Sequence, residues 1–176
     1  MSIDVDESAG PPVWSPPEPF DHFMPRMRHR VLRLAYVTSG SRATAEDLAQ
    51  EAFLAAWRDW ERVARMENPE GWILRVVANK SVSHVRRRVA EVKAVARHGP
   101  GLETYWPQLS AETEWLWHQV RRLPRRQLQV IALHYLEEMT VLEIADVLGC
   151  SKESVHTHMR RARSTLAVWI GTGESS

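Results

Sequence analysis

The sequence contains only one cysteine, Cys150, among its 176 residues. One thiol cannot form a disulfide within its own chain, so the fold must depend on a hydrophobic core. We interpret Cys150 as a small buried residue. No apolar run has the length that a membrane span needs, and the N-terminus carries Asp4, Asp6 and Glu7, unlike a secretory signal. We therefore expect a cytoplasmic protein without a membrane partner.

A strong net charge is also missing, because the formal total is only +1. The local distribution of charge is more informative. Residues 43–70 contain seven acids and three bases, whereas residues 71–99 contain seven bases and one acid. This change of sign predicts two contact surfaces of opposite charge in neighbouring segments.

Internal repeats and long strand-like alternation are absent as well. Apolar residues recur instead at steps of three and four, and they make up enough of the chain, 44%, to bury a core. We predict an all-α fold of two small helical domains joined by a flexible linker, the second being a helix-turn-helix. The predicted divisions are a disordered proline-rich arm at 1–19, a first domain at 20–89, a linker at 90–111, a second domain at 112–170 and a tail at 171–176.

Residues 140–163, TVLEIADVLGCSKESVHTHMRRAR, predict the helix-turn-helix. Thr140 and Glu143 have the spacing of a capping box, Gly149 can end the first helix, and Ser151 can cap the second. The second helix of this motif usually lies in the DNA major groove. Its outer face carries donors for phosphates and base edges: Lys152, Ser154, His156, Thr157, Arg160, Arg161 and Ser164. The alternative is a solvated face on a plain helical hairpin.

An acidic helix is predicted at residues 44–60. Thr44 and Asp47 resemble a capping box, and a broad apolar face runs from Leu48 through Trp57 to Trp60. Acids and a glutamine occupy the other face. Such a face is often only solvated.

A basic helix is predicted from Asn68-Pro69-Glu70 to about Val89. Trp72 falls on its apolar face, so we place it in the core rather than as a platform for base stacking. Three consecutive arginines at 86–88 exceed what is needed to complement the helix dipole, which favours contact with a polyanion. Residues 61–68 are predicted to form a loop.

Further helices are predicted on either side. One covers 20–38, with Pro25 in its first turn. Another covers 112–122, with Trp115, Leu116 and Val120 facing inward, and Pro124 can open the next.

Three segments in this order resemble a bacterial sigma factor of the extracytoplasmic-function group. They are AEDLAQEAFLAAW (45–57), NPEGWILRVVANKSVSHVRRR (68–88) and LPRRQLQVIALHYLEEMTVLEIADVLGCSKESVHTHMRRARSTL (123–166). The resemblance implies a protein that binds core RNA polymerase, at the β′ clamp helices and the β flap. It also implies recognition of the −35 and −10 promoter elements, with a base flipped out as the −10 region opens. An anti-sigma factor is a further candidate partner.

The resemblance also implies site residues. The core-binding positions are Asp47, Gln50 and Glu51. The −10 positions are Asn79, Lys80, Arg86, Arg87 and Arg88, with loop residues 65–68 loosely added. The −35 positions are Lys152, Glu153, Ser154, His156, Thr157, His158, Arg160 and Arg161. No catalytic residue, metal, cofactor or small-molecule substrate is implied.

The chain departs from the usual family pattern at four positions: Thr44, Ser83, His156 and His158. The two histidines stand where relatives carry permanent cations, which affects −35 affinity. A DNA-binding regulator that needs no polymerase is one alternative, but it does not explain the acidic-then-basic first domain. An enzyme is another, yet His156 and His158 diverge on a helix, so they cannot share one ion, and no catalytic motif occurs.

Overall fold

A computed structural model describes residues 17–90 and 110–173, with the backbone alone for 82–90 and 172–173. The regular structure in these ranges is entirely helical, which confirms the all-α prediction. The helices are α1 (Phe20–Ser39), α2 (Arg42–Arg58), α3 (Trp60–Val63), α4 (Pro69–Ala90), α5 (Ala111–Arg121), α6 (Arg125–Tyr135), α7 (Val141–Leu148) and α8 (Lys152–Gly173). Most of the predicted arm, with Trp14, and most of the predicted linker lie outside the described residues.

The first helical unit is built by α1, α2 and α4, which pack on one another. Phe23, Met27, Leu48, Ile73 and Leu74 are fully buried between them. Buried apolar residues share one face of each helix, as Phe23 and Met27 do four residues apart on α1, so that face turns inward.

The second unit contains α5 to α8, with α6 and α7 packed on α8. Leu133, Ile144, Val155 and Ala162 are buried at its centre. The C-terminal helix continues to Gly173, three residues into the segment expected to be a tail. Among the described residues, no helix combines the length and apolarity required to cross a bilayer.

Two predictions about helix starts are wrong. The cap of α2 is Ser41, whose side chain accepts a hydrogen bond from the Thr44 N–H, while Thr44 itself is buried in the first turn. The chain leaves α1 through Gly40, at φ 72°, so α2 can begin earlier than predicted. Helix α1 begins at Phe20 as predicted, but Pro25 lies beyond its first turn. The predicted loop at 61–68 includes part of α3.

Several aromatic and apolar side chains were assigned to the wrong face. Trp57, Trp115 and Leu116 are 62%, 46% and 39% exposed, respectively. Val120 is buried as predicted, but its buried companion on α5 is Trp117 rather than Trp115 or Leu116. Cys150 is only half-buried.

The two units pack directly on each other. Helix α1 contacts α5 and α6, and α4 contacts α7. Buried apolar residues from both units belong to one contiguous cluster. This packing brings the basic helix α4 close to the helix-turn-helix formed by α7 and α8.

Candidate protein and nucleic-acid interfaces

The acidic face of α2 is exposed at three positions, Asp47, Gln50 and Glu51. It is presented outward because Leu48 and Ala52, on the opposite side of the helix, are buried against α1 and α4. Glu51 Oε2 accepts a hydrogen bond from Lys80 Nζ at 2.6 Å. This salt bridge links the acidic face to the basic helix.

Helix α4 begins as its sequence predicts. Asn68 Oδ1 accepts a hydrogen bond from the Gly71 N–H at 2.7 Å, and Pro69 occupies the first helical position. Trp72 lies on the apolar side of α4 as predicted, but it is only half-buried and packs against the core rather than within it. The loop before α4 exposes Arg65 and Glu67.

Asn79 and Lys80 are half-buried on the polar side of α4. The backbone of α4 continues through Arg86, Arg87 and Arg88, whose side chains lie outside the described part of the chain. The helical backbone is therefore continuous through the arginine run at 86–88.

The amide of Asn79 is engaged by the second helical unit. Its Oδ1 accepts hydrogen bonds from Arg125 Nη2 at 3.2 Å and from Gln129 Nε2 at 3.4 Å. Gln129 also donates to the Ala78 carbonyl at 2.8 Å, and its residue is 1% exposed. Sequence reasoning missed Gln129, because the amide stands in the apolar run of α6 while the groups that it pairs with lie on α4, far away in the chain.

The helix-turn-helix forms as predicted. Thr140 Oγ1 accepts from the Glu143 N–H, and Glu143 Oε2 accepts from the Thr140 N–H at 2.7 Å, which completes the capping box. Gly149 adopts a left-handed conformation at φ 61° and ends α7. Ser151 Oγ accepts from the Ser154 N–H at 3.2 Å and starts α8. These caps fix the angle at which α8 leaves the turn.

The outer face of α8 is largely open to solvent. It forms a shallow depression lined by His156, Thr157, Met159, Arg160, Arg163 and Ser164. Of the predicted positions, Ser154, Thr157 and His158 are half-buried, and the exposed ones are Lys152, Glu153, His156, Arg160 and Arg161. Hydrogen bonds from its own backbone N–H and from Ser151 lower the pKa of the Glu153 carboxyl, so an acid sits at the start of this otherwise basic face.

His158 differs from His156 in its surroundings. Its Nδ1 is buried without a hydrogen-bond partner in the described structure. Burial, followed by the nearby charges of Arg161 and Arg126, lowers the pKa of the His158 ring. The ring is therefore held neutral near pH 7 and is less available to DNA than His156.

No metal centre is evident within residues 17–90 and 110–173, where no three His, Cys, Asp or Glu side chains are grouped to hold an ion.

Comparison with known families decides the identity. Residues 23–91 match the family model of sigma-70 region 2, and residues 113–166 match that of sigma-70 region 4. The chain belongs to the sigma-70 family. It is a sigma factor of the extracytoplasmic-function group, so it binds core RNA polymerase and directs promoter-specific initiation of transcription.

The relatives agree with this assignment. The sigma factor is similar to the ECF RNA polymerase sigma factor SigW of Bacillus subtilis, with 24% identity over 79% of this chain and 82% of SigW. It is also similar to SigE of Mycolicibacterium smegmatis, with 27% identity over 96% of this chain and 66% of SigE. Its fold resembles that of the sigma factor RpoE solved in complex with the anti-sigma factor NepR from Bartonella quintana. That match has a TM-score of 0.67 and 19% identity, and covers 86% of this chain and 96% of RpoE.

Proposed function

We propose that the polar faces of three helices, α2, α4 and α8, bind three different targets of this sigma factor. The acidic face of α2 binds the polymerase β′ clamp helices through Asp47, Gln50 and Glu51. The supporting observation is that these side chains are exposed on a helix whose opposite side is buried, so they can meet a partner without unfolding the domain. Like the rest of the group, the sigma factor would also contact the β flap through its second unit.

The basic helix α4 is proposed to hold the −10 element. Asn79 would read an unstacked base, because an amide supplies both a donor and an acceptor. Lys80 and the arginines at 86–88 would follow the phosphates of the single strand. Loop residues 65–68 precede this helix and present Arg65 to the same DNA.

The helix α8 is proposed to dock in the major groove at the −35 element. Exposed Lys152, His156, Arg160 and Arg161 would supply donors, while Ser154 and Thr157 would add hydroxyls. Glu153 can accept a hydrogen bond from a cytosine amino group. His158 contributes less in this proposal, because its ring nitrogen Nδ1 is buried.

The working division of the chain follows from these roles. Residues 20–89 would serve polymerase and the −10 element, residues 112–170 the −35 element, and residues 90–111 would connect them, between an arm at 1–19 and a tail at 171–176. A sigma factor acts where the polymerase is, so we propose a cytoplasmic location. An anti-sigma factor is a proposed regulator, supported by the anti-sigma complex of RpoE.

Paired substitutions test the DNA assignments. Asn79→Ala should reduce open-complex formation by the holoenzyme much more than it reduces −35 binding. Arg160→Ala should do the reverse, weakening −35 duplex affinity and lowering the salt dependence by about one counterion. Open complexes are measured by permanganate reactivity, and duplex affinity by a salt series. Equal losses in both assays for Asn79→Ala would refute its role in opening.

A further inference from the structure

A pair of exposed side chains joins α6 to α8 beside the shallow depression on the outer face of α8. Arg163 Nε donates to the Tyr135 hydroxyl at 2.9 Å, and the guanidinium carbon of Arg163 lies 5.6 Å from the centre of the Tyr135 ring. Tyr135 is 55% exposed, and Arg163 is exposed as well. Neither residue is among the predicted −35 positions.

The Tyr135 ring is held by its neighbour His134. The centres of the two rings lie 4.7 Å apart with their planes at 79°, an edge-to-face arrangement. His134 is itself fixed, because its Nδ1 lies 3.0 Å from the Met139 carbonyl, to which it can only donate. The hydroxyl group that accepts from Arg163 therefore has a defined position before any ligand is bound.

The pair keeps several hydrogen-bond donors for a ligand. Arg163 uses its Nε–H on Tyr135, which leaves the two Nη groups, and a phenol oxygen that accepts a hydrogen bond still has its own proton to donate. The depression that Arg163 helps to line has no carboxylate among its other lining residues, which are His156, Thr157, Met159, Arg160 and Ser164. One positive charge and a group of convergent donors suit an anion with several acceptor oxygens, such as a phosphate.

The position of Arg163 along α8 favours the DNA backbone over a base edge. His156, Arg160 and Arg163 follow one another at steps of four and three residues, so they share one face of the helix. At 1.5 Å per residue, Arg163 lies about 10 Å beyond His156 along the helix axis. Recognition helices contact bases with their N-terminal residues, and the major groove is about 12 Å wide. A side chain two turns later therefore reaches the edge of the groove, where the phosphates lie.

We infer that Tyr135 and Arg163 form a phosphate-binding pair on the DNA strand that borders the −35 groove. Arg163 supplies the charge and its Nη donors. Tyr135 positions the guanidinium group through Nε and donates its hydroxyl proton to the same phosphate. The contact fixes how far α8 enters the groove and is independent of the base sequence. The inference rests on the proposed docking of α8 at the −35 element and adds to it a residue from α6.

The test uses the holoenzyme, reconstituted with bacterial core RNA polymerase, and a promoter duplex that the wild-type holoenzyme selects from random sequences. Ethylation of single phosphates identifies those whose modification blocks binding, and a salt series gives the affinity and its dependence on salt. Arg163→Ala should remove the interference at one phosphate beside the −35 element. It should also reduce the slope of log affinity against log salt concentration by about 0.9, because one phosphate loses its cation.

Tyr135→Phe separates positioning from charge. It keeps the ring but removes the hydroxyl group, so the affinity should fall about 3- to 10-fold while the salt slope stays that of the wild type. Interference should weaken at the same phosphate that Arg163→Ala releases. The double variant should bind more tightly than the product of the two separate losses, because both substitutions act on one contact. Arg58→Ala is the matched control, since it removes an exposed arginine from α2 and should change neither the slope nor the interference.

The inference is overturned if Tyr135→Phe keeps the wild-type affinity and interference, if Arg163→Ala keeps the wild-type slope, or if the two variants act at different phosphates. Should Tyr135→Phe fail to fold by circular dichroism, Arg163→Lys decides, since it keeps the charge but loses the Nε–H that Tyr135 accepts. It should retain the slope and lose affinity. If Arg160→Ala weakens −35 binding while the Tyr135 and Arg163 variants do not, the proposed docking of α8 stands and the inference fails. If Arg160→Ala has no effect either, the docking itself is wrong.

Discussion

Reversing the charge of the acidic face tests the polymerase interface most directly. The perturbation is Asp47→Arg combined with Glu51→Arg. Both side chains are exposed, so the core keeps every apolar contact. The known loss is the salt bridge from Glu51 to Lys80, in which the two side chains are 46% and 40% exposed. An exposed pair contributes about 0–1 kcal/mol, and a new repulsion of similar size faces Lys80. The free energy of unfolding should therefore fall by no more than about 2 kcal/mol.

The effect on polymerase binding should be larger. The double variant changes the charge of the face by four units, and disrupting a buried charge pair at an interface costs about 2–5 kcal/mol. Since each 1.4 kcal/mol is a factor of ten, the Kd for core polymerase should rise roughly 30-fold or more. The assay is competition against a labelled second sigma factor, alongside urea unfolding.

A matched control separates position from charge. Glu61→Arg with Glu112→Arg introduces the same change of four units at exposed sites outside the acidic face. This control should keep nearly the wild-type affinity. The assignment of the acidic face is wrong if the test variant binds as tightly as wild type, or if the control weakens binding equally.

Two further predictions concern the helix-turn-helix. Thr140→Ala removes the acceptor for the Glu143 N–H, so the free energy of unfolding should fall by about 1 kcal/mol in urea titration, whereas a change below a few tenths would contradict the capping role. For His158, the folded-state pKa is lowered mainly by burial, so its contribution to stability is complete above the ordinary pKa near ~6.5 and is lost as pH falls from there towards the lowered value. His158→Gln should therefore show a smaller loss of stability than wild type between about pH 7.5 and 5, and equal slopes would contradict the burial of this ring.

Local patterns were the most predictable part of the structure. The capping box at Thr140, the left-handed Gly149 and the Asn68-Pro69 helix start depend on residues within one turn, and all three appear as predicted. The predicted cap of α2, Thr44, was wrong. Ser41 and Thr44 both offer a hydroxyl, and only the turn at Gly40, coming from α1, places Ser41 at the helix start.

The buried face of a helix was harder to predict where aromatic residues lie close together in the sequence. The stretch Trp115-Leu116-Trp117 offers several inward choices, and packing against α6 and α8 selects Trp117. Gln129 and Glu137 could not be found from sequence, because their partners lie on α4 and α1. A buried amide or acid is recognisable only after the distant chain that satisfies it has been placed.

The Glu51–Lys80 pair has a consequence for measurements in salt. A lysine already neutralised by a carboxylate displaces less than a full counterion when it meets a phosphate. If binding to the clamp helices breaks the salt bridge from Lys80 to Glu51, the Lys80 ammonium no longer pairs with this carboxylate when the −10 strand arrives. The ionic-strength dependence of −10 binding should then be steeper for the holoenzyme than for the free chain. The difference between the two slopes would measure how far the salt bridge between Glu51 and Lys80 has been broken.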